Sequence, residues 1–397
     1  MDRARGGTAL PTARSIPAIL LAAALIGLTA GRPQPAAPAT DTTLPLLTTL
    51  GKAPAAALLS RAQPEPPPSA RTLRHQASPV AAQLSAQQSP PSRPARPKFS
   101  VPGPRPYLHF ARTGPSLTRA DHFRVGSITK TFIATVVLQL AAEHRLSLSD
   151  PVEHHLPGLI RGPGVDGRTI TLRALLTHTS GLYDFAADTK GAVPLTPALA
   201  VRTALTHPAA PASHWTYSNT NYVVLGMVIE RVTGNSYATE AERRILRPLH
   251  LTGTSFPGAR TTLPAPHGRA FTSSGRDITA LDPRVAGAAG ELISTLSDLN
   301  RFYAALLSGR LLPAPLLREM LNTRPAHGHY GMGLYPYKLP CGTTVWGHNG
   351  RIAGSYVRTA ATRDGRRVIT FRVNTDKLAD PALEPALLTA QFCPRAP

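Results

Sequence analysis

FRVGSITKTFIATVVLQL, residues 123–140, sets a serine and a lysine three positions apart at the head of an apolar run. Phe132, Ile133, Val136, Val137 and Leu140 recur at steps of three and four, so the spacing predicts a helix over 128–146 that is buried nearly all round. Ser127 and Lys130 then share one face, one turn apart, where the amine reaches the hydroxyl. A serine hydroxyl is a poor nucleophile until a base takes its proton, and a desolvated lysine can be neutral enough to do so. The start of the helix adds a positive field where an oxyanion would form. S-x-x-K alone is a common pattern, and its weight depends on what accompanies it.

Two further patterns lie downstream. HWTYSNTNY, residues 214–222, puts Tyr217 and Asn219 as Y-S-N ahead of a helix that starts at Asn219 and stops at Gly234. A phenol between Lys130 and a second cation would ionise more readily and serve as base and then acid, while the Asn219 amide would hold a substrate carbonyl and the Lys130 amine. A core tyrosine and a helix cap explain the same two residues equally well. WGHNG, residues 346–350, places His348, Asn349 and Gly350 at the end of an expected strand. Other helices are expected after Thr171, from Ser297 to near Gly309 and from Asp380 to Cys393, with strands in YLHFAR, GLYPYKL, TTVWGHNG and a hairpin turning at Asp364 and Gly365. His178 and Ser180 fall at a helix C-terminus, which favours capping over catalysis, and Trp215 and Trp346 suit either a cleft wall or the core.

Taken together, Ser127 to Lys130, Tyr217 to Asn219 and His348 to Gly350 resemble, in order and spacing, the three motifs of the serine β-lactamase and D-Ala-D-Ala carboxypeptidase family. The likeness extends from about Asp121 to Thr375, through ITLRALLTHTSGL, RPLHLTGTSF and GAAGELISTLSDLNRF. Y-S-N and H-x-G are similar to the class C and actinomycete carboxypeptidase branch. The resemblance implies an α/β (α+β) fold of β-lactamase/transpeptidase type: a mainly antiparallel sheet flanked by helices, a helical subdomain, and the active site between them. It implies Ser127 as the acylated nucleophile, Lys130 as its partner, Tyr217 as general base and acid, Asn219 as a binder of the substrate amide, and His348 in the positive or hydrogen-bonding role that lysine holds in many relatives. Asn349, Gly350 and Arg351 become substrate-binding residues, with the Ser127 and Arg351 amides as the oxyanion hole. Relatives carry a small residue at the Arg351 position, so this side chain either crowds the cleft or binds a substrate carboxylate. The family also supplies an N-terminal helix and strand pair ahead of the nucleophile, whereas Pro-rich sequence here runs to Pro106 and leaves one strand.

The rest of the chain sets the context. Of 397 residues, 42% are hydrophobic, enough for a sizeable core. The net charge of +21 is carried by arginine far more than by the six lysines, which fits a GC-rich coding sequence or attraction to an anionic wall or membrane. No basic motif interleaved with aromatics argues for nucleic acid. Residues 1–30, with Arg3, Arg5 and Arg14 before IPAILLAAALIGLTA, read as a signal peptide or N-terminal anchor, and an uncleaved segment would be the one membrane contact. Residues 31–105 hold 16 of the 41 prolines and read as a disordered linker, leaving 106–397 as the hydrolase domain. Cys341 and Cys393, the two cysteines, suit a disulfide in an exported protein, worth about 4 kcal/mol in the chain-entropy model for a loop of this size. No cofactor and no metal are expected, since the histidines lack ligand spacing. The expected activity is an exported D-Ala-D-Ala carboxypeptidase acting on cell-wall peptides. β-Lactamase and small-ester esterase are alternatives, and an inactive penicillin-binding or wall-tethering protein is a reading of another class.

Overall fold

The computed structural model describes residues 82–88, 120–211 and 215–394. The expected signal segment, most of the expected linker and the strand in YLHFAR lie outside them. In chain order the strands and helices are β1 (Ala82–Gln88), β2 (Phe123–Arg124), α1 (Thr129–Ala142), α2 (Val152–His155), β3 (Arg161–Gly162), β4 (Val165–Asp166), α3 (Leu172–Leu176), α4 (Phe185–Thr189) and α5 (Pro197–Leu205). They continue with α6 (Asn219–Thr233), α7 (Tyr237–Ala241), β5 (Ile293–Ser294), α8 (Leu296–Leu307), α9 (Ala314–Met320), β6 (Tyr335–Lys338), β7 (Thr344–Ile352), β8 (Ser355–Thr362), β9 (Arg367–Val373) and α10 (Leu383–Phe392).

The main sheet runs β1-β9-β8-β7-β6, antiparallel throughout. Side chains alternate across it. His348, Thr359 and Thr370 form one cross-strand row, and Thr370 donates to Asn300 of α8 at 2.7 Å. Val345, Ala360 and Ile369 face the other way and pack with Leu388 and Phe392 of α10. The sheet therefore lies between α8 and α10. The Cys341–Cys393 disulfide is formed and ties the β6–β7 turn to the end of α10.

On the α8 side sits α1, buried through its length because its apolar residues recur on every face: Phe132 stacks on Phe302, and Ile133, Val136, Val137 and Leu140 are fully buried. Its buried threonines are bonded internally, Thr131 donating to the Gly333 carbonyl at 2.6 Å, Thr129 to the Gly126 carbonyl and Thr135 to the Thr131 carbonyl. Local chemistry sets the helix ends. Thr171 and Thr295 accept from the amides of Ala174 and Asp298, and α6 ends where Gly234 takes φ +74°.

One expectation needs correction. Ala82–Gln88 falls inside the segment read as a disordered linker, yet these residues form β1 and pair with β9 from Ala82 opposite Val373 to Gln88 opposite Arg367. Proline richness averaged over the segment hid a proline-free window between Pro79 and Pro90, the only condition a ladder imposes on the backbone donors.

Candidate active site

The serine turn is shaped by backbone packing. Gly126 has φ +53°, and a Cβ there would lie 2.8 Å from the Arg351 amide nitrogen. A Cβ on Gly350 would lie 1.7 Å from the Val125 carbonyl oxygen. Only glycines let the end of β7 approach this turn so closely, and the approach brings the Arg351 amide beside Ser127. Val125 N–H donating to Leu292 O at 2.9 Å and Ser355 Oγ donating to Arg124 O at 2.7 Å hold the turn from both sides.

Lys130 is fully buried. Its Nζ lies 2.7 Å from Asn219 Oδ1, 2.7 Å from the Ala289 carbonyl oxygen and 3.2 Å from Ser127 Oγ. Burial lowers its pKa to about 7, with Asp184 pulling the other way. A neutral amine has two N–H groups, matching the two pure acceptors, and one lone pair, left facing the serine hydroxyl. The Asn219 amide is fixed in turn by Asp184, whose carboxylate accepts from Asn219 Nδ2 at 3.0 and 3.1 Å and from its backbone N–H at 3.1 Å. Asp184 also caps α4 through the Ala186 amide. Sequence reading missed it, and an Asp before a short helix was the available signal.

Tyr217 lies beside this pair, with Lys130 Nζ 4.9 Å from its ring centre. Its hydroxyl is buried and makes no well-formed hydrogen bond among the described residues, although Ser127 is close enough to lower its pKa somewhat. Burial dominates and raises the phenol above its ordinary value, so the expectation that Tyr217 ionises more readily does not hold. Among the described residues no cation other than Lys130 lies against its ring. His348 is buried, and that burial lowers its pKa to about 3. Its Nδ1–H donates to the Asn349 carbonyl and its Nε2 accepts from Tyr330 Oη at 2.8 Å, so the imidazole is neutral and both nitrogens are occupied. The positive role suggested for His348 is therefore not available at neutral pH.

His178 takes the left-handed turn expected of a helix end, at φ +60°, and also does more. Its buried ring lies 4.3 Å from that of Tyr217, and its Nδ1 accepts from the Ser218 amide and from Asn221 Nδ2. Ser180 donates to Asn221 as well. These two residues hold the Y-S-N segment in place. Trp346 belongs to the core, and Trp215 stacks on His329 while donating to the Thr177 carbonyl.

Ser127 and Asn219 open onto a cavity of about 390 Å³, whose walls include Gly126, Phe185, Ala289 and Arg351. Arg351 does not crowd it. Its side chain is mostly exposed at the rim, 3.9 Å from Asp376, with Lys190 also on the lining. Asn349 does not reach the cavity: its Oδ1 accepts from Tyr335 Oη at 3.1 Å, on the sheet face it shares with Arg358. Gly350 acts through the close approach described above. A wider cavity of about 700 Å³ along Glu242–Leu246 contains none of these residues. Ligand atoms of Asp150, His154 and His155 come within 4.8 Å of one another outside the Ser127 cavity, but His155 and the Ser147 amide already bond to Asp150.

The beta-lactamase family model matches residues 108–392, most of the chain and all of this site. The chain belongs to that family. A D-stereospecific amidohydrolase from a Streptomyces species superimposes with a TM-score of 0.65 at 44% identity, over 70% of this chain and 88% of that one. D-amino acid amidase from Ochrobactrum anthropi SV3 gives 0.61 at 27% identity, over 69% and 88%. In sequence, PbpX of Bacillus subtilis (strain 168), named as a penicillin-binding protein, is 27% identical over 67% of this chain. The chain spans 64% of the length of that relative. Within the family, the protein has the penicillin-binding and β-lactamase fold and falls in the serine hydrolase superfamily built on it.

Proposed function

We propose that the protein is a serine amidohydrolase that cleaves an amide bond next to a D-amino acid through an acyl-enzyme on Ser127. The observation that carries this is the buried Lys130 amine, whose Nζ lies 2.7 Å from Asn219 Oδ1 and from the Ala289 carbonyl oxygen and 3.2 Å from Ser127 Oγ, so that its neutral form can satisfy both acceptors and still turn its lone pair to the serine hydroxyl. In this reading Lys130 takes the serine proton as the hydroxyl attacks the carbonyl carbon. The tetrahedral oxyanion rests on the Ser127 and Arg351 amides. Tyr217, a weak acid in its buried setting, relays the proton to the departing amine, and water then releases the acyl group. Asn219 orients Lys130 and His348 supports the aromatic floor. The similarity to two D-specific amidases supports a D-configured acyl group.

A second reading, D-Ala-D-Ala carboxypeptidase, is favoured by one feature. Arg351 and Lys190 on the cavity lining provide positive charge suited to a terminal carboxylate. The basic residues and the apolar run within residues 1–30, together with the disulfide, support export to the cell wall, where such peptides occur. Incubation with D-phenylalanine amide and, separately, a D-Ala-D-Ala peptide distinguishes the readings. Release of ammonia that is lost in Ser127→Ala supports the amidase, and preferential release of D-Ala supports the carboxypeptidase. Failure of both in folded protein, with no penicillin adduct on Ser127 by intact mass, would overturn each.

A further inference from the structure

Residues 285–291 line two neighbouring cavities. Val285, Ala289 and Gly290 line the Ser127 cavity, whereas Gly287, Ala288 and Glu291 line a second one of about 290 Å³, and Ala286 and Phe185 belong to both. The second cavity is apolar on most sides, walled by Phe185, Ala200, Val223, Met227 and Tyr237. Its charge is uneven. Glu291 is almost wholly buried there, with Oε1 accepting from Tyr237 Oη at 2.7 Å and no bonded partner for Oε2 among the described residues. Glu230 lines the same cavity without a partner among those residues, while the guanidinium of Arg284 is taken up by Asp282. An apolar sleeve with an uncompensated carboxylate inside matches one chemistry: an aliphatic stem ending in an ammonium group.

We propose that this cavity is a subsite for a substrate side chain of that kind, as in lysine or ornithine, with Glu291 as the counter-charge. The inference rests on the Ser127 reading for its link to catalysis, and on the cavity alone for binding. Burial raises the Glu291 carboxyl to about 7, the state of an acid that lacks a cation and that a bound ammonium would keep ionised. The cavities border each other at Phe185 and Ala286, and the same segment serves both: the Ala289 carbonyl accepts from Lys130, and Glu291 follows two residues later.

The test titrates the full chain calorimetrically with n-hexylamine and with n-hexanol, its neutral counterpart. The amine is expected to bind at least tenfold more tightly, Glu291→Gln to remove that preference, and Met227→Phe, which fills the cavity, to weaken both ligands. Equal binding of amine and alcohol, or an unchanged preference in folded Glu291→Gln, would overturn the subsite. D-lysyl and D-norleucyl p-nitroanilides then test its link to catalysis, with kcat/KM about tenfold in favour of D-lysyl in wild type. Amine binding without that preference in an active enzyme overturns the link. Amine binding in a protein that never acylates Ser127 leaves the subsite and removes the proposed function.

Discussion

At the scale of single residues, the protonation of Lys130 governs the site. Its pKa falls from an ordinary value near 10.5 to about 7 because the charged form is desolvated, so kcat/KM is expected to rise with pH through about 7 as the amine loses its proton. His348, already neutral above about 3, adds nothing to that limb. The same shift affects stability. Between about 7 and 10.5 the unfolded chain holds a proton that folded Lys130 lacks, so this residue's contribution grows with rising pH, and a Lys130→Met variant should lose that part of the slope in denaturant titrations. Asp184 opposes the shift and holds Asn219. Asp184→Ala is expected to lower kcat by ~100-fold through misplacement of the amide and amine. Its kinetic pKa should also move downward, which loss of packing alone would not produce.

At the scale of elements, the end of β7 and the serine turn are one unit. Gly350→Ala would drive a methyl into the Val125 carbonyl, and an overpacking cost of about 1–3 kcal/mol is expected together with loss of acylation, read by denaturant midpoint and intact mass. The other sheet face depends on a buried ion. Arg358 of β8 is fully buried, stacks 4.6 Å from the Tyr335 ring centre and has Glu384 of α10 at 3.3 Å. Removing only the acid, as in Glu384→Ala, leaves the guanidinium uncompensated and should cost about 3–5 kcal/mol. The double variant with Arg358→Met should recover most of that loss. A double-mutant cycle without recovery would show that Glu384 matters for packing and not for charge.

At the scale of the whole molecule, β1 and the disulfide hold the two ends of the described fold. A chain beginning at residue 100 lacks β1 and leaves the β9 edge unpaired, so it is expected to melt lower and to aggregate, whereas one beginning at residue 75 should behave as the full chain does. Light scattering during a thermal ramp checks this. Reduction of Cys341–Cys393 should lower stability by about 2–4 kcal/mol and leave Ser127 acylation intact below the new midpoint, since α10 packs on the sheet face opposite α1.

Periodicity and caps were enough to place α1, α3, α6, α8 and the β7–β8–β9 meander, because each carries its signal within a few residues: a three-four apolar repeat, a Thr before a helix, a Gly after one. The motif residues Ser127, Lys130 and Asn219 were legible for the same reason, as short patterns in a fixed order. Their electrostatics were not. Burial is a property of the assembled fold, and it decided that Lys130 and Glu291 both titrate near neutrality, that Tyr217 resists ionisation and that His348 is uncharged. Distance in sequence hid Asp184 from Asn219 and Glu291 from its cavity, since only packing of α4 and the 285–291 segment against α6 brings them together. β1 was hidden for a related reason: a strand of AQLSAQQ has little signal of its own and exists because β9 offers it an edge.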